Sequence, residues 1–256
     1  MKTSPPSTFR FLLSVTALSA ALTFHVPAAE PLSGDKIPTQ SGPLVIHPVN
    51  HASLILGWNG KTIYVDPVGG EKRFADLPKP DLILVTDIHG DHLHPDTLSA
   101  IATANTKLVA PAAVAEKLPE KLRGQTTTVA NGEKKTIDGL TIEAVPMYNL
   151  TKERLQFHSK GRGNGYVLTL GGKRVYLSGD TEDIPEMRAL KDIDVAFVCM
   201  NLPYTMTVDQ AASAVKEFKP KIVYPYHYRG SDTAKFKKLV GTDTGVEVRL
   251  QDWYKP

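Results

Sequence analysis

Asp81-Leu82-Ile83-Leu84-Val85-Thr86-Asp87-Ile88-His89-Gly90-Asp91-His92-Leu93-His94-Pro95-Asp96 is the stretch on which the reading of the fold turns. Leu82–Val85 is a short apolar run of the kind that forms a strand buried on both faces. It stops at Thr86, and four potential metal ligands, Asp87, His89, Asp91 and His92, follow within six residues. Pro95 suits a first helical turn, so a helix is expected over about 96–104. Strand, ligand-rich turn, helix is a layout that holds side chains rigidly at the end of a sheet. Gly90 lets the backbone bend so that ligands on both sides of it converge. Imidazoles mixed with carboxylates suit Zn, Fe or Mn rather than an ion that takes oxygen alone.

Working outward, 256 residues with 41% hydrophobic and 22% charged side chains fit one large globular domain. The start of the chain differs in character. Lys2 and Arg10 precede the apolar run Phe11–Phe24, which is followed by Val26-Pro27-Ala28-Ala29-Glu30. That order is an export signal with a small-residue cleavage site, so residues 1–29 are expected to be removed and the protein to be periplasmic or secreted. The run is shorter than the roughly 20 residues of a spanning helix, so no membrane span is expected after cleavage. Loss of Lys2 and Arg10 takes the formal charge from +3 to +1, which gives no electrostatic reason to expect a nucleic-acid partner. The single cysteine, Cys199, lies in the apolar run Val195–Met200 and reads as a buried free thiol rather than a nucleophile.

Residues 30–42, rich in Pro, Gly and Ser, read as a linker, and 43–256 as the folded domain. Strands are expected at Leu44–Val49, Ser53–Trp58 and Lys61–Val65, the last two joined across the hairpin signal Asn59-Gly60. After the ligand turn come a short strand at Leu108–Ala110, a helix at Ala112–Leu118, and strands at Thr126–Ala130, Lys134–Asp138 and Leu140–Pro146. Asn131-Gly132 and Asp138-Gly139 read as hairpin turns between those three. Tyr148–Asn164 reads as a loop, and Gly161, Gly163 and Gly165 within or beside it as a mobile flap or bulge rather than a phosphate loop. Strands at Tyr166–Leu170 and Arg174–Ser178 are followed by an alternation of buried strands and helices: Val195–Cys199, Val208–Phe218, Ile222–Tyr226, Thr233–Val240 and Val246–Leu250. Strand-rich halves carrying helices predict an α/β, four-layer αββα sandwich.

Two further candidates follow strands directly: Asp180 in Tyr176-Leu177-Ser178-Gly179-Asp180-Thr181, and His227 in Val223-Tyr224-Pro225-Tyr226-His227-Tyr228. With the ligand turn, they put three ligand sites at strand C-terminal ends, where one sheet edge can gather them. These motifs, together with Val65-Asp66-Pro67, resemble the metallo-β-lactamase superfamily over about Leu44 to Leu250. They are most similar to its branch of L-ascorbate-6-phosphate lactonase-like and phosphatidylethanolamine-type phospholipase D hydrolases. The resemblance implies one or two metals at the sheet edge: His89 on the first, Asp91, His92 and His227 on the second, Asp180 bridging. It also implies that Asp66 orients a ligand imidazole, a role with a clear physical purpose.

The chain departs from the family pattern twice. Asp87 stands where a first histidine is usual, and Tyr148-Asn149 where a later one is, with His158 the nearest imidazole that could substitute. Asp87 is either a weak ligand of a second, more exchangeable metal or the mark of an empty first site; the first is favoured. The expected function is an exported metal-dependent hydrolase of an ester, lactone, amide or phosphodiester bond in a small-molecule or lipid-like substrate. Zn is the expected metal, with Mn or Fe as alternatives. Such a metal activates water and polarises the attacked oxygen, and Asp91 is the expected catalytic proton carrier. Tyr148, Arg162, Tyr204 and Tyr228 are candidates for placing substrate, while His47, His51 and His94 are expected to be structural. The rival functions are a non-catalytic metal- or ligand-binding protein on the same scaffold and a di-iron oxidoreductase.

Overall fold

Successive residues of the first strands are apolar yet pack on opposite sides. Leu54 and Leu56, Ile63 and Val65, and Leu82 and Leu84 enter one buried cluster, whereas Ile55, Tyr64 and Ile83 between them enter another. The two-residue period of a strand accounts for this split, and it makes the sheet an inner layer covered on both faces. The computed structural model of the protein describes residues 1–2 and 32–254. The expected export signal lies outside the described residues, apart from its first two.

The first sheet runs in spatial order through β1 (Asp35–Thr39), β2 (Gly42–Asn50), β3 (Ser53–Trp58), β4 (Lys61–Val65), β5 (Leu82–Leu84), β6 (Lys107–Ala110) and β7 (Thr126–Thr128). The second is built from β8 (Lys134–Ile137), β9 (Leu140–Met147), β10 (Gly163–Leu170), β11 (Lys173–Leu177), β12 (Val195–Cys199), β13 (Ile222–Tyr226) and β14 (Glu247–Val248). In each sheet the first four strands pair antiparallel and the remaining three add in parallel. The helices are α1 (Pro95–Ile101), α2 (Ala112–Ala115), α3 (Glu120–Arg123), α4 (Pro185–Arg188), α5 (Val208–Phe218) and α6 (Thr233–Val240). Leu98 and Ile101 of α1 pack on the outer face of the first sheet, and Ala211, Val215 and Phe236 of α5 and α6 pack with the second. The result is the αββα sandwich that the strand pattern predicts. Among the described residues, no helix is long and apolar enough to cross a membrane.

Four expectations need correction. Residues 35–39 are not linker: Ile37 is buried and β1 pairs along its length with β2, so the fold begins before residue 43. Asn131-Gly132 is not a hairpin turn, because β7 ends the first sheet and β8 starts the second. The dipeptide does reverse the chain, and Gly132 N donates to Ala144 O at 2.7 Å, but turn chemistry does not choose the pairing partner. Gly163 and Gly165 lie inside β10 rather than in a flap. A Cβ at Gly163 would stand 2.2 Å from Met147 Cε and 2.9 Å from Thr86 O, so its missing side chain allows this strand to pass close under the ligand turn. The helix at 112–118 is shorter than expected and is followed by the separate α3, Pro119 falling between the two.

Candidate metal centre

Four of the strands around the site, though not β5 with its ligand turn, end in a common way. The residue just beyond β2 is His51 at φ 53, beyond β4 Asp66 at φ 44, and beyond β13 His227 at φ 47, while Gly179 at φ 60 ends the segment after β11. A left-handed residue there turns the chain sharply and sends the following loop back over the sheet edge. Asp, His and Gly are among the residues that tolerate it. Gly179 is also closely packed, since a Cβ would lie 2.4 Å from Met147 Sδ.

Asp91, His92, Asp180 and His227 bring one ligand atom each to within 4.8 Å of one another. His92 Nε2 lies 3.3 Å from Asp180 Oδ2 and 3.8 Å from Asp91 Oδ1, and His227 Nε2 lies 3.2 Å from Asp91 Oδ2 and 3.4 Å from Asp180 Oδ1. His92 Nε2 and Asp180 Oδ1 are buried without a hydrogen-bond partner. Such groups are costly unless something satisfies them, and a divalent cation among two imidazoles and two carboxylates would do so. Behind His92, Asp66 Oδ2 accepts from Nδ1 at 2.8 Å, and Asp66 also accepts from Thr86 N at 2.8 Å and Thr86 Oγ1 at 2.6 Å. That bond commits the His92 proton to Nδ1 and leaves Nε2 free to ligate, as the family resemblance implies for Asp66. Burial alone would lower His92, but Asp180 and Asp66 on either side hold its pKa well above the ordinary value. Burial alone would raise Asp180, yet His227 and His92 hold it well below the carboxylate range, and His227 and His51 do the same for Asp91. The cluster is therefore built to hold positive charge, whether as protons or as a metal.

A second cluster, Asp87, His89 and His158, adjoins the first. His158 arrives from the 148–162 loop, and its Nε2, buried and without a hydrogen-bond partner, lies 3.2 Å from Asp180 Oδ2 and 3.9 Å from Asp87 Oδ2. Asn149 holds it from behind, with Nδ2 3.2 Å from His158 Nδ1 while also donating to Tyr204 O at 2.7 Å. His89 Nδ1 lies 2.8 Å from Asp87 Oδ2. Asp87 is fully buried and receives two hydrogen bonds from Arg162, Nε to Oδ1 at 3.1 Å and Nη2 to Oδ2 at 2.9 Å.

The clusters open into a cavity of about 560 Å³ lined by His51, Phe157, Asn201, Leu202, Tyr204 and Arg229 among others. Leu202 and Tyr204 are exposed at this cavity, which gives it apolar surface as well as the cationic Arg229. Of the proposed substrate-placing residues, only Tyr204 reaches the cavity. Tyr148 Oη donates to Glu186 at 2.9 Å, Tyr228 Oη donates to Gln251 O at 3.1 Å, and Arg162 is committed to Asp87. His94 caps α1, accepting from Thr97 N at 3.2 Å, and His47 Nδ1 bonds Ser33 O at 2.7 Å, so both are structural as expected. Cys199 is buried, which pushes its thiol up to about 12, so it is no nucleophile at neutral pH. His51 departs from expectation. It stacks on His227 with ring centroids 3.8 Å apart, its Nε2 lies 3.3 Å from Asp91 Oδ2, and its Nδ1 lies 2.7 Å from Tyr254 Oη. Its position directly after a strand, like that of Asp180 and His227, was the available signal.

Residues 46–227 match the family model described as the beta-lactamase superfamily domain. The chain belongs to the metallo-β-lactamase superfamily. A metal-dependent hydrolase of Pyrococcus abyssi is 33% identical over 214 residues, covering 78% of this chain and 93% of that one. A metal-dependent hydrolase of Thermococcus onnurineus is 34% identical with the same coverage. Among solved structures, one from Parabacteroides distasonis named for metal-dependent hydrolases superimposes with a TM-score of 0.80 at 43% identity, covering 87% of this chain and 99% of that one. These matches and the buried ligand cluster place the chain among the superfamily's metal-dependent hydrolases.

Proposed function

We propose that this protein is an exported hydrolase that holds a metal, zinc in the first instance with Mn or Fe as alternatives, at Asp91, His92, Asp180 and His227. The supporting observation is the pair of unpartnered buried atoms, His92 Nε2 and Asp180 Oδ1, within a cluster of four ligand atoms beside an open cavity. A divalent metal bound there supplies an activated water and polarises the attacked oxygen. The chain's own residues do the rest. Asp66 keeps the His92 proton on Nδ1. Asp91, ionised and with 42% of its side chain exposed, is placed to take a proton from the attacking water. Tyr254 Oη holds the His51 ring, and His51 Nε2 faces the same Asp91 carboxylate. Phe157, Leu202 and Tyr204 exclude water from one wall of the cavity and fit an apolar portion of the substrate, while Arg229 fits an anionic portion. This suits a small or lipid-like ester, lactone, amide or phosphodiester, in keeping with the lactonase-like and phospholipase D-like branch that the motifs resemble.

Metal analysis of protein purified without added metal tests the assignment, followed by turnover of a panel of those four bond types. His92→Ala and His227→Ala are each expected to lose most of the metal and the activity, and His94→Ala to keep both. Equal losses from all three would mean that the wrong histidines are assigned.

A further inference from the structure

Accepting the metal at Asp91, His92, Asp180 and His227, we propose that the Arg162 guanidinium is a resident cation of the adjoining cluster, so that the centre is built for one metal rather than two. In the second cluster, the carboxylate that would complete a metal site is already spent. Both Asp87 oxygens receive N–H groups from Arg162 in a forked pair, and Oδ2 takes His89 Nδ1 as well. This is the geometry in which arginine binds carboxylate best, and arginine does not give up its proton.

The guanidinium also stands close to the imidazole that a metal would need. Arg162 Nη2 is 3.5 Å from His89 Nε2 and donates as well to Phe157 O. A divalent ion reaching Asp87 and His89 together would sit in contact with a fixed positive charge in a poorly screened site. Arg162 is no passing surface residue: only 19% of its side chain is exposed, its N–H donates to Ser159 O, and two residues on Asn164 N donates to Thr86 O, beside the ligand turn.

Charge pairing agrees. Asp91 and Asp180 face the proposed ion and Asp66 is paired behind it with His92, whereas Asp87, which could not stay buried and ionised alone, is neutralised by Arg162. His158 then serves the occupied site. Its unpartnered Nε2 is nearer Asp180 than Asp87, at 3.2 Å against 3.9 Å. Asp87 and Arg162 are thus positioning residues, holding His89 Nδ1 and keeping a second metal out.

The test is metal stoichiometry, read independently of activity. Full-length protein exposed to excess Zn or Mn and then desalted is expected to hold one metal per chain, and crystals soaked in the same metal to show one anomalous peak, among Asp91, His92, Asp180 and His227. Asp87→Ala should keep that metal with affinity changed less than about threefold. Arg162→Met and Arg162→Gln, folded by circular dichroism, should each gain a second, more easily chelated metal, whereas Arg162→Lys stays at one. Two metals or two peaks in the wild type overturn the proposal without reference to any variant. One His92-dependent metal in the wild type, with no gain in folded Arg162→Met or Arg162→Gln, overturns it while leaving the proposed function standing. A wild type with no metal sinks both.

Discussion

Asp66→Asn removes one oxygen from behind the metal site without changing its volume. Asp66 accepts three hydrogen bonds, from Thr86 N, Thr86 Oγ1 and His92 Nδ1. An asparagine oxygen can keep the Thr86 N–H, and the Thr86 hydroxyl can rotate to accept from the new amide. The His92 bond cannot be kept in the same form, because an N–H would then face an N–H. His92 is driven to carry its proton on Nε2, the atom that lies 3.3 Å from Asp180 and that a metal needs bare. Loss of such a partner to a ligand histidine costs about 10- to 100-fold in metal affinity, or about 1.4–2.8 kcal/mol. The metal-free fold should lose about 1–3 kcal/mol for the mismatched buried groups. Titration against a chromophoric chelator measures the first effect and urea denaturation in chelator the second. Thr86→Val is the control: it deletes the hydroxyl bond to Asp66 and the 3.0 Å contact with His92 Nδ1 but keeps the carboxylate that holds the Nδ1 proton, so its affinity should fall much less. Affinity of Asp66→Asn within twofold of wild type, or equal to that of Thr86→Val, would refute the tautomer account.

Three other outcomes follow from the site and the fold. Burial alone would raise Asp194, but Lys221, Arg174 N–H and Lys173 hold it below the ordinary value of 3.8. Its stabilisation is therefore complete above about pH 3.8 and is lost as the pH falls through the lower folded value. Asp194→Asn should cost about 1 kcal/mol at pH 7, and urea melts should show the gap to wild type shrinking as the pH is taken below 3.8. Arg229→Ala should raise KM for anionic substrates with little change in KM for neutral ones or in metal content; a uniform loss across substrates would assign Arg229 another role. Mass spectrometry of protein made in its native host should find the mature N-terminus at Ala29 or Glu30, and a cytoplasmic chain retaining Met1 would reject export.

Much of the fold is legible in local sequence. The β3–β4 hairpin follows from Asn59-Gly60, both at positive φ, and α5 from an amphipathic run. The ligand turn and the strand-end residues Asp180 and His227 carry their chemistry in short motifs, and the structure gathers them as expected. The end of the helix expected at 112–118 is a local exception, since it breaks before Pro119; the other departures lie where the deciding contact comes from afar. Asn131-Gly132 specifies a reversal whichever strands it joins, and β1 is held by pairing that its Pro- and Gly-rich surroundings do not announce. Arg162 lies in a loop without period, and its convergence on Asp87 depends on how that loop folds over the sheet edge; His158, from the same loop, does reach the cluster as a substitute imidazole. Asp87 reads as a ligand from its place in the turn, and its partner Arg162, 75 positions away in sequence, is not visible from there.

The left-handed strand ends bear on how the sequences of distant relatives are to be weighed. His51, Asp66 and His227 occupy a conformation that costs most L-residues on the order of 1–2 kcal/mol and that histidine, aspartate and asparagine enter more readily than others. At these positions selection for a sound backbone and selection for chemistry favour overlapping residue types. A descendant that had lost its metal would still be expected to keep His, Asp, Asn or Gly at 51, 66 and 227, since a β-branched replacement would strain the turn. Asp91, His92 and Asp180 adopt no such conformation, so their backbone does not impose this restriction. Identity at 91, 92 and 180 is thus the stronger signature of a working metal centre in a relative, and identity at 66 and 227 the weaker one.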